Sequence, residues 1–403
     1  MNRNRQFTYI DLFAGCGGLS LGLMNSGWTG VFAIEKSNDA FKTLEHNLIK
    51  EKGHYTWPTW LPVKYHDIDH VLTHHREELI KLRATIDLVA GGPPCQGFSI
   101  AGRRKENDYR NRLIDSYINF IELVKPKFIF FENVKGFTLN FKNNAELGKN
   151  YSAYVVKKLK RLGYNVHGKL VDFSEYGIPQ KRTRFILVGV KKQLDKKGTL
   201  ARSFFAILHK TKYDLLSGKG LSASVTLEDA ISDLLEENGT ALCPDSDNFK
   251  SGQYSKAKTP YQKCLRAGKY KGTVPDSHRL VNHTQKIKNR FQYAIDNDLG
   301  PTEYRTYFNL SKSGTKKVSK DEPAPTLTTL PDDYIHYQEP RVFTVREFAR
   351  IQSFPDWYEF KGRYTTGGKL RIKQTPRYTQ VGNAIPPLFA ETVGHSLKEI
   401  AHA

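Results

Sequence analysis

Ile86-Asp87-Leu88-Val89-Ala90-Gly91-Gly92-Pro93-Pro94-Cys95-Gln96-Gly97-Phe98-Ser99 runs from an apolar segment into a turn stiffened by two prolines, with one cysteine behind them. The apolar run is short and nearly unbroken, as in a strand buried on both faces of a parallel sheet. Cys95 then falls just past the strand's carboxyl end, where open α/β sheets bind ligands. Pro93 and Pro94 fix φ and remove two amide donors, which holds the following thiol in one orientation. A thiolate is a strong nucleophile once its surroundings lower its pKa. Taken alone, a free cysteine in a tight loop is as a rule an inert core residue. The rest of the chain has to decide.

Outward from that segment, strand and helix signals alternate. Residues 7–13 read as a strand, 17–26 as a helix, 31–35 as a second strand and 39–48 as another helix. A short strand is expected at 63–65, and further strands at 86–90 and 128–131. Leu113, Tyr117, Ile121 and Val124 recur at helical spacing, and Pro126 ends that helix. Residues 166–172 and 185–190 supply two more strands with little but a turn between them. Alternating βα units and a closing hairpin predict an α/β fold, a Rossmann-like doubly wound mixed sheet with an antiparallel edge. The pattern stops near Lys191. Residues 191–340 hold lysine clusters and Ser/Gly-rich stretches, with one short helix pattern at 226–235. Residues 251–290 carry ten Lys/Arg against one acid, Asp276, with Tyr254, Tyr261 and Tyr270 interleaved. Such a stretch is either a solvated basic surface or a face for a polyanion. Helical patterns return at 345–353 and 387–401.

The 403 residues can form one large domain or two ordinary ones, and the formal net charge of +21 points to a polyanionic partner. Cys16, Cys95, Cys243 and Cys264 are too few and too scattered for a disulfide framework or a zinc site, and no CxxC pair occurs. No metal and a reducing compartment are therefore expected. Met1-Asn2-Arg3-Asn4-Arg5 leads straight into a strand pattern without an apolar signal segment, and no stretch approaches transmembrane length. A cytoplasmic protein with no membrane association is expected.

Asp11-Leu12-Phe13-Ala14-Gly15-Cys16-Gly17-Gly18 ends the first strand and opens the first helix. Glycines there let the backbone approach a ligand closely. Glu35, at the end of the second strand, is suited to accept hydrogen bonds from ribose hydroxyls. A nicotinamide enzyme would fit these two facts, but Ser20 stands where that fingerprint has its third glycine. Phe13 sits where a ring could cover an adenine, and Asp67-Ile68 could read its amino group. Together these three points indicate an adenosine-bearing cofactor.

With these segments in hand, the chain resembles the bacterial DNA (cytosine-5)-methyltransferases nearly end to end. The resemblance is carried by Phe13-Ala14-Gly15-Cys16-Gly17-Gly18, Gly92-Pro93-Pro94-Cys95, Glu132-Asn133-Val134 and Gln180-Lys181-Arg182-Thr183-Arg184. Arg346-Glu347-Phe348-Ala349-Arg350-Ile351-Gln352-Ser353-Phe354-Pro355 and Gln380-Val381-Gly382-Asn383-Ala384-Ile385-Pro386-Pro387 complete it. Six blocks in family order are highly specific. The resemblance implies the class I S-adenosylmethionine-dependent fold, S-adenosyl-L-methionine as cofactor and a flipped cytosine as substrate. It places a catalytic domain at 1–195 plus 374–403 and a smaller target-recognition domain at 196–373.

By the same resemblance, Phe13, Gly15, Gly18, Glu35, Asp67, Gly92, Pro94, Leu113 and Asn383 hold the cofactor. Ala14 and Gly17 belong to the first of these blocks, Ile68 follows Asp67, and Lys36 and Ala384 stand at more variable positions. Cys95 is the expected nucleophile and Glu132 the group that hydrogen-bonds or protonates N3. Arg184 is expected at the cytosine O2 with Arg182 in support. As bland alternatives, Glu132 would be a helix-capping acid and the two arginines surface residues. Gln96, Ser99, Arg103 and Arg104, in a polar stretch directly after the nucleophile, are expected to contact DNA. So is the Thr326-Leu327 pair, although the preceding Pro323-Ala324-Pro325 also suits a plain loop. Double-stranded DNA is the implied partner, bound by a monomer. A restriction endonuclease acting on the same site is the partner that a modification methylase would have. Two alternatives are an RNA-directed relative, which the long basic insert disfavours, and a non-catalytic DNA-binding relative, which intact Cys95, Glu132 and Arg184 disfavour.

Overall fold

The computed structural model describes residues 6–94, 112–139, 151–267, 273–310, 315–366, 370 and 374–403. They form two compact units, one of Met1–Asp172, Thr183–Leu215 and Phe389–Ala403, the other of Phe173–Arg182 and Leu216–Leu388.

The first unit is built on a six-stranded sheet in the order β2-β1-β3-β4-β7-β5. Its strands are β1 Phe7–Leu12, β2 Trp28–Ile34, β3 Leu88–Gly91, β4 Phe128–Val134, β5 Tyr164–Asp172 and β7 Thr183–Lys191. β1 pairs in parallel with β2 and β3, and β3 with β4, whereas β7 runs antiparallel to both β4 and β5. The alternation in β1 divides its side chains between two layers. Ile10 and Leu12 enter a core that also holds Phe32, Val89, Ile129 and Phe131. The helix α5, Arg112–Val124, covers this face with Ile114, Tyr117, Ile118 and Ile121, and α3, Ile68–His74, adds Ile68 and Val71. Each such buried side chain contributes about 1.5–3 kcal/mol. Tyr9 and Asp11 face the other layer, where Ser20 of α1, Gly18–Asn25, bonds to Asp11. On the chain's last helix, Pro387–His402, the Gly394 carbonyl accepts from Trp28 Nε1 at 2.9 Å. α2 is Asn38–Leu44, α4 Arg76–Lys81, α6 Tyr151–Arg161 and α7 Leu200–Gly218.

The second unit consists of short elements. β6, Gln180–Lys181, pairs in parallel with the strand Ala324–Pro325. α8 is Leu227–Ile231, α9 Pro260–Arg266, α10 Gln285–Asp296, α11 Pro301–Tyr307 and α12 Val345–Ile351. α12 is buried at every position, its arginines included. Arg350 is answered by Asp233 at 3.1 Å and Asp356 at 2.5 Å. Glu347 caps α12 through the Thr344 amide and pairs with Arg341 at 2.7 Å. Burial works to raise the Glu347 pKa, but Arg341 outweighs it and holds the carboxyl at about 2. Buried charges survive only when answered in this way.

Several features differ from the sequence reading. Residues 63–65 lie in a loop, not a strand, with Val63 and Tyr65 exposed. The link between β5 and β7 is more than a turn, because Phe173–Arg182 joins the second unit through β6. The long helix α7 was not expected. It buries Ala201, Phe204, Phe205 and Leu208 in helical spacing, but Thr211 and Lys212 continue that stripe and hide it. α7 lies with the first unit as far as Leu215, where Asp195 caps it and Phe205 packs on His167 of β5. At the other end, residues 374–388 belong to the second unit, where Arg377 pairs with Asp245 at 2.6 Å.

Candidate active site

The carboxyl ends of β1, β3 and β4 bring the predicted residues of the first unit together. Asp11 and Gly91 lie on the neighbouring strands β1 and β3, and β3 pairs with β4 as far as Gly91 against Phe131. Glu132 is the next residue on β4. Its Oε1 accepts from Arg184 Nε at 3.0 Å, and both side chains are about six-sevenths buried. The antiparallel register sets Arg184 opposite Val134 and Ile186 opposite Glu132, so the arginine reaches the carboxylate diagonally on one face. Burial lowers the Arg184 pKa from its ordinary value, and Glu132 opposes that shift. A buried, paired carboxylate beside a guanidinium can present a proton donor or acceptor and a positive charge to one substrate ring.

Gly92 is packed against this pair. A Cβ there would lie 2.7 Å from Glu132 Oε2. Asn133, next along β4, donates from Nδ2 to the Pro93 carbonyl at 3.2 Å, while its Oδ1 accepts the Val134 amide at 2.8 Å. The turn that leads to Cys95 is thus fixed from β4. Asn133 lies within Glu132-Asn133-Val134, but only its buried amide's need for partners could have revealed this role. Pro94 is exposed at the end of the described segment. Cys95, Gln96, Ser99, Arg103 and Arg104 lie outside the described residues. Among the other cysteines, burial pushes the Cys16 thiol up to about 12.

The glycine turn forms the second part. Phe13, Gly15 and Gly17 have φ of 59°, 57° and 90°, in the left-handed region that glycine adopts without strain and phenylalanine does not. Phe13 packs against the main core, as does Leu113. Ala14 N donates to the Ile34 carbonyl at 3.0 Å, and Gly17 N to the Ala14 carbonyl at 2.9 Å. Gly18 begins α1. Glu35 ties the turn to the end of β2: its Oε2 accepts the Gly15 amide at 2.8 Å and its Oε1 the Ser37 amide at 2.7 Å. Burial raises the Glu35 pKa, and these amides oppose the shift. Lys36 Nζ pairs with Asp67 Oδ2 at 2.6 Å. Asp67 Oδ1 caps α3 by accepting the Asp69 amide at 2.9 Å, and Ile68 is buried behind it. Burial pulls the Asp67 pKa up, but Lys36 and the helix amides bring it below the usual value. Sequence reasoning did not find the bridges from Glu35 to the turn or from Lys36 to Asp67.

The remaining predicted residues belong to the second unit. Arg182 is 3% exposed, and its Nη1 donates to the Leu327 carbonyl at 3.4 Å. The Leu327 amide donates to Gln180 Oε1 at 2.9 Å, and Thr326 Oγ1 to the Lys181 carbonyl at 2.6 Å. The Leu327 side chain is buried, while Thr326 is half-buried. Asn383 is exposed at the end of the helix Arg377–Asn383, and Gln352 Nε2 holds the Ala384 carbonyl at 3.2 Å. Of the basic residues in 251–290, two are held internally. Arg266 pairs with Asp233 at 3.3 Å, and Arg279 lies between the rings of Phe249 and Tyr364 at 4.1 and 3.9 Å. Lys256, Lys258, Lys263 and Lys286 are exposed, and Lys269 and Lys271 lie outside the described residues. Among the described residues no cluster of metal-ligating side chains occurs, and no helix is long and apolar enough to cross a membrane.

Comparison with known proteins bears on this arrangement. The C-5 cytosine-specific DNA methylase family matches residues 7–399. The chain is 29% identical over 407 residues to the Type II methyltransferase M.DdeI of Desulfomicrobium norvegicum, covering 96% of this chain and 88% of that protein. It is 30% identical over 406 residues to M.XorII of Xanthomonas oryzae pv. oryzae, covering 96% and 83%. Among solved structures, an E. coli prophage-encoded protein described as a DNA modification methyltransferase superposes with a TM-score of 0.66 at 23% identity, covering 99% of this chain and 100% of that one. S. pombe Dnmt2 methyltransferase does so at 0.53 and 14%, covering 98% and 99%. These two likenesses speak for the fold, a mixed sheet of the class I methyltransferase kind. With a family match over nearly its whole length, the chain belongs to the C-5 cytosine-specific DNA methylases.

Proposed function

We propose that this enzyme transfers a methyl group from S-adenosyl-L-methionine to C5 of a flipped-out cytosine in a specific double-stranded DNA sequence. The reading rests first on the Glu132–Arg184 pair beside the Gly92-Pro93 turn. The glycine turn, Glu35 and the Lys36–Asp67 pair fit an adenosine-bearing cofactor. Nothing lies within 4 Å of a Cβ built on Gly15, so a ligand can approach the backbone there. Phe13, Ala14, Gly15, Gly17, Gly18, Glu35, Lys36, Asp67, Ile68, Gly92, Pro94, Leu113, Asn383 and Ala384 would hold it. Bound there, the cofactor supplies an electrophilic methyl group.

Cytosine C5 is too weak a nucleophile by itself. The Cys95 thiolate adds to C6, Glu132 hydrogen-bonds or protonates N3, and electron density moves to C5. Arg184 stabilises the charge that develops at O2 with Arg182 in support, and Arg182 also donates to the Leu327 carbonyl. Once C5 carries the methyl group, a base removes the C5 proton and the Cys95 thiolate leaves. Flipping exposes the target atoms, which the duplex hides. Gln96, Ser99, Arg103, Arg104, Thr326 and Leu327 are the proposed DNA contacts, and the second unit supplies target recognition. The chain works as a monomer in the bacterial cytoplasm, and a restriction endonuclease reading the same site is the partner this activity would have.

Trapping tests the reading. A duplex carrying 5-fluorocytosine at the target should capture the enzyme covalently, since fluorine cannot leave as the proton does. The adduct should map to Cys95, and Cys95→Ser should abolish both capture and methyl transfer while keeping cofactor binding. An adduct on Cys16, Cys243 or Cys264 would overturn the assignment. Label from S-adenosylmethionine appearing in RNA rather than DNA would favour the RNA-directed alternative.

A further inference from the structure

The amino-terminal end of the parallel strands lies at the opposite end of the sheet from Glu132 and the Gly91–Pro94 turn. It carries cations that the chemistry leaves unused. Backbone hydrogen bonds gather them there. Lys191 N donates to the Lys127 carbonyl at 3.0 Å, Ala84 N to Val124 at 2.8 Å and Lys192 N to Gly163 at 2.9 Å. Arg83 Nε donates to the Leu123 carbonyl at 3.2 Å, and Gly163 N to the Lys160 carbonyl at 3.2 Å. Four turns from distant parts of the chain thus converge with Arg83, Lys125, Lys127, Lys160, Lys191 and Lys192.

Among the described residues, only Lys127 of these six forms an ion pair with a carboxylate, Asp87 at 2.9 Å. The nearby Asp195 carboxylate is buried and accepts the Leu200 and Ala201 amides. Burial, and then Lys125, Lys127 and Arg83, lower the Lys191 pKa. Lys125, Lys127 and Arg83 thus repel the Lys191 charge. An anion would turn that repulsion into attraction. Six cations spread over four turns exceed what one small anion can answer, whereas a phosphate backbone answers them in series.

We propose that this end of the sheet binds the phosphate backbone of a second DNA duplex, separate from the one whose cytosine is methylated. The proposal rests on the reading of the chain as a DNA methyltransferase. A second hold keeps the enzyme near DNA between catalytic events and lets it pass from one segment to another.

The test uses the full chain trapped on a 5-fluorocytosine duplex, with a fluorescent 30-base-pair duplex of A·T pairs only as the second ligand. That probe contains no cytosine, and the trapped duplex already fills the catalytic site. The complex should bind the probe with a steep salt dependence. Replacing Lys125, Lys160, Lys191 and Lys192 by Gln should weaken probe binding about tenfold or more and reduce the salt slope by about three units. Trapping yield should stay unchanged. The charge-keeping Lys125→Arg and Lys191→Arg variant should bind as the wild type does. A trapped wild type that ignores the probe, or a glutamine variant that binds it equally, overturns the proposal. If no adduct forms, the catalytic reading fails separately, and the same comparison on the free proteins still decides this one.

Discussion

Glu35 accepts a backbone amide on each of its carboxylate oxygens, from Gly15 at 2.8 Å and Ser37 at 2.7 Å. A ribose hydroxyl bound there would add to a carboxylate that is already oriented. Glu35→Ala should therefore weaken S-adenosylmethionine binding by roughly 1.5–3 kcal/mol, as charge-assisted hydrogen bonds contribute. Calorimetry checks this, and unchanged affinity would place the ribose elsewhere. Asp11 lies behind the same turn. Ser20 Oγ donates to its Oδ2, and Oδ1 has no hydrogen-bond partner among the described residues. Burial raises its pKa from 3.8 to about 7, against the pull of Ser20 and with a further push from the Glu35 charge. Between those values the folded chain binds more protons than the unfolded one. The stability that Asp11 contributes is complete below the unfolded value and is lost as pH rises toward 7. Asp11→Asn should thus flatten the fall in thermal midpoint between about pH 4 and pH 7. Parallel curves for variant and wild type would show that another group carries that slope.

At the scale of elements, the β3–β4 pair holds the turn that precedes Cys95 in place, and Gly92 is its tightest point. An added methyl group at Gly92 meets Glu132 Oε2 at 2.7 Å, and the carboxylate cannot move without leaving Arg184. Gly92→Ala should therefore lower kcat about a hundredfold or more, the range for losing a positioned acid–base group. Unfolding temperature should change little, because the core beneath the turn is untouched. Wild-type turnover in this variant would exclude a tight Glu132 site. The parallel strands were legible because each is an apolar run of strand length between turn residues. The glycine turn was legible because few residues tolerate positive φ. Asn133 was not, since its function is one hydrogen bond to the Pro93 carbonyl, and pattern does not reveal that kind of pairing. Nor was α7, whose apolar stripe breaks at Thr211 and Lys212 although both are buried. In the 251–290 stretch, charge alone could not distinguish the internally held Arg266 and Arg279 from exposed lysines.

At the scale of the molecule, sequence choice should follow the second unit as it packs, not as the sequence divides it. An exchange of 196–373 would separate α7 from Asp195, which caps it, and sever residues 374–388 from their partners. Tyr378 Oη donates to the Phe343 carbonyl at 2.6 Å, and Gln352 Nε2 holds the Val381 carbonyl at 2.8 Å. It would also separate the Ala324–Pro325 strand from β6 and Gln180 from Gln352, which meet at 2.8 Å. Each lost buried hydrogen bond leaves an unsatisfied group that costs about 1–3 kcal/mol. The exchange that keeps these bonds moves Phe173–Arg182 together with Leu216–Leu388 into a methyltransferase of known target. The hybrid should methylate the sequence that this chain methylates, read by bisulfite sequencing of DNA from cells expressing it. Within the moved segment, replacing an exposed lysine such as Lys256 or Lys263 should weaken all duplexes alike and reduce the salt slope by about one unit. Replacing a base-reading residue should cost about 1–3 kcal/mol at one base pair only. An active hybrid that keeps its host's target would place recognition outside the second unit, because activity would prove the graft folded.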